Sequence, residues 1–214
     1  MTTETWNAAR VADTLLSCER GRTPRTSIAA EWPGLDLHTA YIAQDIALAD
    51  RRSNGEVVTG VKLGLTSRAK QQQMGVDEPS VAWLTDAMVL PAGLPVPADR
   101  LIHPRAEPEI AFVMGRRLAG PGVTAATALA AVDVILGAIE IIDSRYSGFK
   151  FTLADAVADN DSDGCVRDAV PDPDAVTDGS VRDAVAALVA AAIAVAVRAS
   201  TCHRSLPAPA ALTP

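Results

Sequence analysis

Glu107 and Glu109 stand one residue apart in the run His103-Pro104-Arg105-Ala106-Glu107-Pro108-Glu109-Ile110-Ala111-Phe112. Side chains alternate along a strand, so both carboxylates point to one face. Like charges on one face repel, and a hard divalent ion with oxygen ligands, Mg2+ or Mn2+, is the simplest group to lie between them. The competing reading is a solvent-facing strand edge, and for the pair alone it is the better one. The balance shifts with a second apolar run, Val132 to Asp143, which carries Glu140. An unpaired charge in an apolar segment is costly and normally has a partner or a metal. Glu107, Glu109 and Glu140 together make a candidate facial site for one divalent ion.

Two cations sit in comparable settings. Lys62 lies between Val61 and Leu63 in a β-branched, glycine-flanked run, Val57 to Ser67. It either snorkels to the surface or stabilises negative charge in a site, and local reasoning favours snorkelling. Arg145 follows the Glu140 run directly, in Asp143-Ser144-Arg145-Tyr146. It can pair with Asp143 or bind a substrate carboxylate, and the internal pair is the safer reading.

Helices are expected around these strands. Ala8, Val11, Ala12, Leu15 and Leu16 recur at helical spacing from Asn7 to about Cys18. A second helix runs from Asp36 to about Ser53, with Leu37, Tyr41, Ile42, Ile46 and Leu48 as its apolar positions. Ser67 to Met74 and Ala125 to Ala131 read as shorter helices, the latter with Thr124 as N-cap. Val81 to Leu90 is a mixed apolar segment, and Pro91 to Pro97 a proline-rich connection.

Composition sets outer limits. A chain of 214 residues is long enough for one sizeable core. A net charge of -7 with no Lys/Arg cluster argues against a nucleic-acid partner. Cys18, Cys165 and Cys202 are scattered, which fits a reducing cytoplasm and no structural zinc. The amino terminus lacks a basic segment followed by an apolar one, and the Ala184 to Val197 run is short of the roughly 20 residues a membrane span needs. A soluble, cytoplasmic protein is expected, with no membrane association.

Several stretches taken together resemble one family: Gly60-Val61-Lys62-Leu63-Gly64-Leu65-Thr66-Ser67, Gly75-Val76-Asp77, Leu84-Thr85-Asp86-Ala87-Met88, His103 to Phe112, Glu140 to Tyr146 and Ala158-Asp159-Asn160. Ala40-Tyr41 and Gln44 fit the same pattern. The resemblance is to the 2-oxopent-4-enoate hydratase and 2-oxo-3-hexenedioate (4-oxalocrotonate) decarboxylase family, within the fumarylacetoacetate-hydrolase-like group. It runs from about residue 36 to about residue 164.

The resemblance implies an α+β fold, a mixed β-roll core like the fumarylacetoacetase C-terminal domain, with an N-terminal helical layer. It implies that Glu107, Glu109 and Glu140 bind Mg2+ or Mn2+, that Lys62 is catalytic and contacts substrate, and that Ser162 lies near the substrate; Arg145 joins them as a substrate-binding candidate on its loop position alone. Tyr146, the Phe149-Lys150-Phe151-Thr152-Leu153 run and Ser80 look more like decarboxylases than hydratases. The implied reaction takes 2-oxohex-3-enedioate to 2-hydroxypenta-2,4-dienoate and CO2 in meta-cleavage degradation of aromatic compounds, with 2-oxopent-4-enoate hydration as the alternative. The implied substrate is a small 2-oxo acid, and the implied assembly a homo-oligomer, with a complex with a partner hydratase as a further possibility.

The chain departs from the family after Cys165. No Lys, Glu, Asn, Gln, Met or aromatic residue follows, and the stretch is rich in Ala, Val, Asp, Arg and Pro. An Ala/Val helix near residues 181 to 198 is the structure it suggests. Other departures are Ala82 where the family has glycine, and Asp161-Ser162-Asp163. The expected organisation is a helical layer over residues 1–55, a catalytic β-rich core over 56–164, and an atypical tail over 165–214. That tail fits a reading-frame change, a core incomplete at the C-terminus, and the third reading of an inactive family member or interaction subunit.

Overall fold

The structure, a computed structural model, describes residues 5–90 and 94–160, and the backbone of 165–168. Ser162, Cys202 and the suggested Ala/Val helix lie outside the described residues.

Helix α1 (Ala8–Gly21) begins where the Asn7 side chain accepts the Arg10 amide at 2.9 Å, and it ends at Arg22, which turns left-handed at φ 49°. Val11, Ala12, Leu15 and Leu16 are buried along one stripe, as their spacing requires. After a single turn, α2 (Ile28–Glu31), the Asp36 carboxylate caps α3 (Leu37–Ser53) by accepting the Thr39 amide at 2.7 Å. The boundaries of α3 match the sequence reading, but its buried face does not. Ala40, Ala43 and Gln44 are buried, whereas Leu37 and Ile42 are exposed. Small alanines let the backbone of α3 approach its neighbours closely, and that contact outweighs the larger side chains in fixing the face.

Strand β1 (Val58–Gly64) pairs antiparallel with β2 (Ser80–Thr85), placing Lys62 opposite Ala82. Between them lies α4 (Arg68–Met74), capped by Ser67 and closed by Gly75 at φ 69°. The Val81 to Leu90 segment is broken after Thr85 by a 3-10 turn, Asp86–Met88, leaving a two-residue strand β3 (Val89–Leu90). Asp86 makes the break useful: its carboxylate accepts the Val57 amide and anchors the start of β1.

A second sheet has the order β3-β6-β5-β4. Its longest pairing joins β4 (Arg105–Met114) and β5 (Val132–Ile142), antiparallel, with Glu107 directly opposite Glu140. Helix α5 (Ala125–Ala131) connects them, with Thr124 in a capping box with Thr127. Strand β6 (Cys165–Asp168) pairs along the other edge of β5.

The principal core cluster is helical and discontinuous in sequence. Tyr146 and α6 (Leu153–Ala158) fold back onto α1 and α3, so Val11, Ile28, Ala40, Ala43, Tyr146 and Val157 form one fully buried cluster. The segment after β5 is thus fixed by the N-terminal helices. Among the described residues no helix is long and apolar enough to cross a membrane.

Candidate metal centre and the lysine beside it

Antiparallel register builds the centre. Glu107 and Glu109 share a face of β4, and pairing across the strands sets Glu140 of β5 opposite Glu107. One carboxylate oxygen from each of the three residues lies within 4.8 Å of the other two. Three acids so close need a counter-charge. Glu109 registers the strain: desolvation of its carboxyl, then Glu140 and Glu107, push it above the usual carboxylate range. The residue keeps an exposed edge, so its two acidic neighbours matter beside desolvation.

Lys62 enters from the other sheet. Its Nζ donates to Glu140 Oε1 at 2.8 Å, and both side chains are largely covered, with 11% and 16% of their surfaces open. The lysine is therefore turned inward rather than snorkelling. β1 can aim it there because its backbone is held by β2 on one side and by Asp86 at its start.

The centre fits a divalent cation on its chemistry. It supplies hard anionic oxygens, converging from a rigid strand pair, with a perturbed carboxyl among them.

Arg145 has a different neighbour from the one expected. Its Nε donates to Asp159 Oδ1 at 2.5 Å and its Nη2 to the Asp159 carbonyl at 3.0 Å, while Asp143 offers only a backbone carbonyl, at 3.1 Å from Nη1. The Asp143 carboxylate instead accepts the amides of Ile102 and His103, fixing the approach to β4. Arg145 and Asp159 are 4% and 1% exposed, so this pair is internal. Sequence reasoning missed Asp159, although Ala158-Asp159-Asn160 was conspicuous. A buried arginine requires an acid, and the nearest one in sequence was not the one that the fold brings to it.

Asn160 was missed in the same way. At φ 51°, its side chain accepts the Trp83 amide at 2.8 Å and donates to the Trp83 carbonyl at 2.9 Å, imitating a strand neighbour for β2. The turn at Gly148 and Phe149, both left-handed, sets the Phe149 ring against His103 at 4.9 Å and beneath the Arg105 guanidinium at 3.7 Å. His103 Nε2 is buried with no hydrogen-bond partner among the described residues.

No family model matches the chain. A 2-hydroxypent-2,4-dienoate hydratase of Pseudomonas putida is 44% identical over 131 residues, 61% of this chain and 59% of the relative. A 4-oxalocrotonate decarboxylase of Pseudomonas sp. (strain CF600) is 42% identical over 132 residues, 62% of this chain and 50% of the relative. The fold agrees with the solved structure of 4-oxalocrotonate decarboxylase from Pseudomonas putida G7 complexed with magnesium and adipate, at a TM-score of 0.72 and 33% identity over 76% of this chain and 62% of that one.

The chain is a homologue of these decarboxylases and hydratases. The homology carries the mixed helix-and-strand fold with it, at an identity high enough to rule out a merely architectural likeness. The chain spans between about half and three fifths of the length of these curated decarboxylase and hydratase relatives.

Proposed function

We propose that the chain carries the divalent-metal and 2-oxo-acid site of a decarboxylase acting on 2-oxohex-3-enedioate, releasing CO2 and 2-hydroxypenta-2,4-dienoate. The observation that carries this reading is the convergence of Glu107, Glu109 and Glu140 with Lys62 in contact at 2.8 Å. Glu107, Glu109 and Glu140 would hold Mg2+ or Mn2+, which when bound supplies Lewis acidity to the 2-oxo group of the substrate. The solved neighbour's magnesium complex supports a divalent metal.

The remaining chemistry belongs to the chain. Loss of the far carboxylate of a vinylogous β-keto acid drives electrons along the conjugated carbons toward the 2-oxo oxygen. Lys62 supplies positive charge beside that end of the molecule, where stabilisation is worth most because the group is largely covered. The buried Arg145–Asp159 pair acts through the backbone, holding the segment after β5 in place. Ser162 completes the proposed substrate contacts.

A hydratase is the second reading, supported by the 44% identical hydratase relative. The same cation and lysine would then serve protonation and water addition to 2-hydroxypenta-2,4-dienoate. We further infer a fumarylacetoacetase-like roll for the strand core, a homo-oligomer with a possible hydratase partner, and a frame-altered tail over residues 165–214 that bears on activity.

The test is an ultraviolet assay of purified protein with 2-oxohex-3-enedioate and Mg2+ or Mn2+, beside Glu107→Gln. Loss of substrate absorbance with stoichiometric CO2, abolished in the variant, is expected. Turnover of 2-hydroxypenta-2,4-dienoate without CO2 would move the assignment to the hydratase. Metal binding with neither turnover would favour a non-catalytic family member.

A further inference from the structure

We propose that Lys62 is the resident counter-ion of the carboxylate trio, weakening its hold on a divalent cation while making the loaded centre receptive to an anionic ligand. The inference rests on the metal-site reading above and adds to it a sign for each of two affinities.

The argument begins with formal charge. Three ionised carboxylates carry three negative charges, and the Lys62 ammonium in contact with Glu140 removes one. The two that remain match one divalent ion. With the lysine present the loaded centre is neutral. Without it the loaded centre keeps one negative charge, holds the cation more tightly and repels an arriving carboxylate.

Placement makes this more than a count. Lys62 lies on β1, in the two-stranded sheet, and reaches Glu140 on β5, in the other sheet. Its charge is therefore delivered by an element separate from the strands that carry the carboxylates. Both partners are largely covered, so water screens their interaction less than it would on an open surface. A cation that binds the trio also competes with the ammonium for Glu140.

The experiment measures Mn2+ binding by electron paramagnetic resonance, and then oxalate binding to the Mn2+-loaded protein by calorimetry. Wild type, Lys62→Met, Lys62→Arg and Glu107→Gln are compared, each checked for native circular dichroism. Lys62→Met should bind Mn2+ on the order of tenfold more tightly and oxalate on the order of tenfold more weakly, consistent with removal of one covered unit charge. Lys62→Arg, which keeps the charge, should stay near wild type in Mn2+ affinity. A lysine that merely supports the site would weaken both affinities when removed. Equal or weaker Mn2+ binding by a folded Lys62→Met protein overturns the proposal while leaving the metal-site reading intact, provided Glu107→Gln abolishes binding. Absence of Mn2+ binding by the wild type overturns both.

Discussion

Asp159 illustrates how a single buried acid can govern the neighbourhood of a site without touching it. Its carboxylate accepts from Arg145 Nε and from the Arg145 amide, and its carbonyl accepts from Nη2. Removing one charge of a buried pair leaves the other uncompensated, at a cost of about 3–5 kcal/mol. Asp159→Asn should therefore lower the urea unfolding free energy by that amount. An Arg145→Met, Asp159→Leu double variant should lose less than the sum of the single losses, since neither charge is then left alone. Additive losses in the cycle would mean that the two side chains are not coupled as their contacts indicate. At this scale the sequence was legible where a partner lies close along a regular element. Glu107 and Glu109 share a strand face, and their alternation alone says so. It was illegible for Arg145, because Asp143 lies two residues away and Asp159 fourteen, and only the return of the chain onto α1 and α3 decides between them. Lys62 was misread locally for a related reason: the carboxylate that turns it inward belongs to another sheet.

Among the elements, those written in local chemistry were foreseen best. Thr124 caps its helix as expected and Ala125–Ala131 forms as read, while Asp36, read as the start of the second helix, proves to be its cap. By contrast α2 and α6 are too short to show a period, and they are held by one residue that joins them. Asp155 is fully buried, accepts from Ser27 Oγ at 2.7 Å and the Ala29 amide at 3.0 Å, and closes a capping box with Thr152. Burial pushes its carboxyl up, but the hydrogen bonds from Ser27, Thr152 and Ala29 together outweigh it, and the group sits below its ordinary value of 3.8. A depressed folded value adds stability above the unfolded value, and that contribution is lost as pH falls through the folded one. Asp155→Ala should cost about 2–3 kcal/mol at neutral pH, the size expected for hydrogen bonds to a buried charge. The penalty should shrink steadily below about pH 4, where protonation already removes the advantage in the parent. Urea midpoints taken across that range test it, and a penalty independent of pH would show that the acid contributes through packing alone.

For the molecule as a whole, the metal site proposed above would make folding depend on the cation. The three carboxylates come from β4 and β5, whose residues Val113, Met114, Val134 and Ile139 remain exposed, so among the described residues this strand pair has less apolar cover than α1, α3 and α6. Like charges facing one another across the pair oppose its formation, and after desolvation Glu140 and Glu107 add to the upward push on Glu109. A cation that binds only the folded arrangement reverses the balance, stabilising the native chain by about 2.7 kcal/mol at a hundredfold excess over its dissociation constant. Thermal unfolding with Mg2+ or Mn2+ should therefore show a midpoint that rises with metal concentration and returns on chelation. Glu140→Gln should abolish the rise. The dependence on pH carries a sign of its own: because Glu109 holds its proton above the usual carboxylate range, acidification removes the metal effect before ordinary carboxylates protonate. A midpoint insensitive to metal at neutral pH would mean that the trio is an exposed acidic cluster held by Lys62 alone, and the homology would then record descent from a metalloenzyme without its metal.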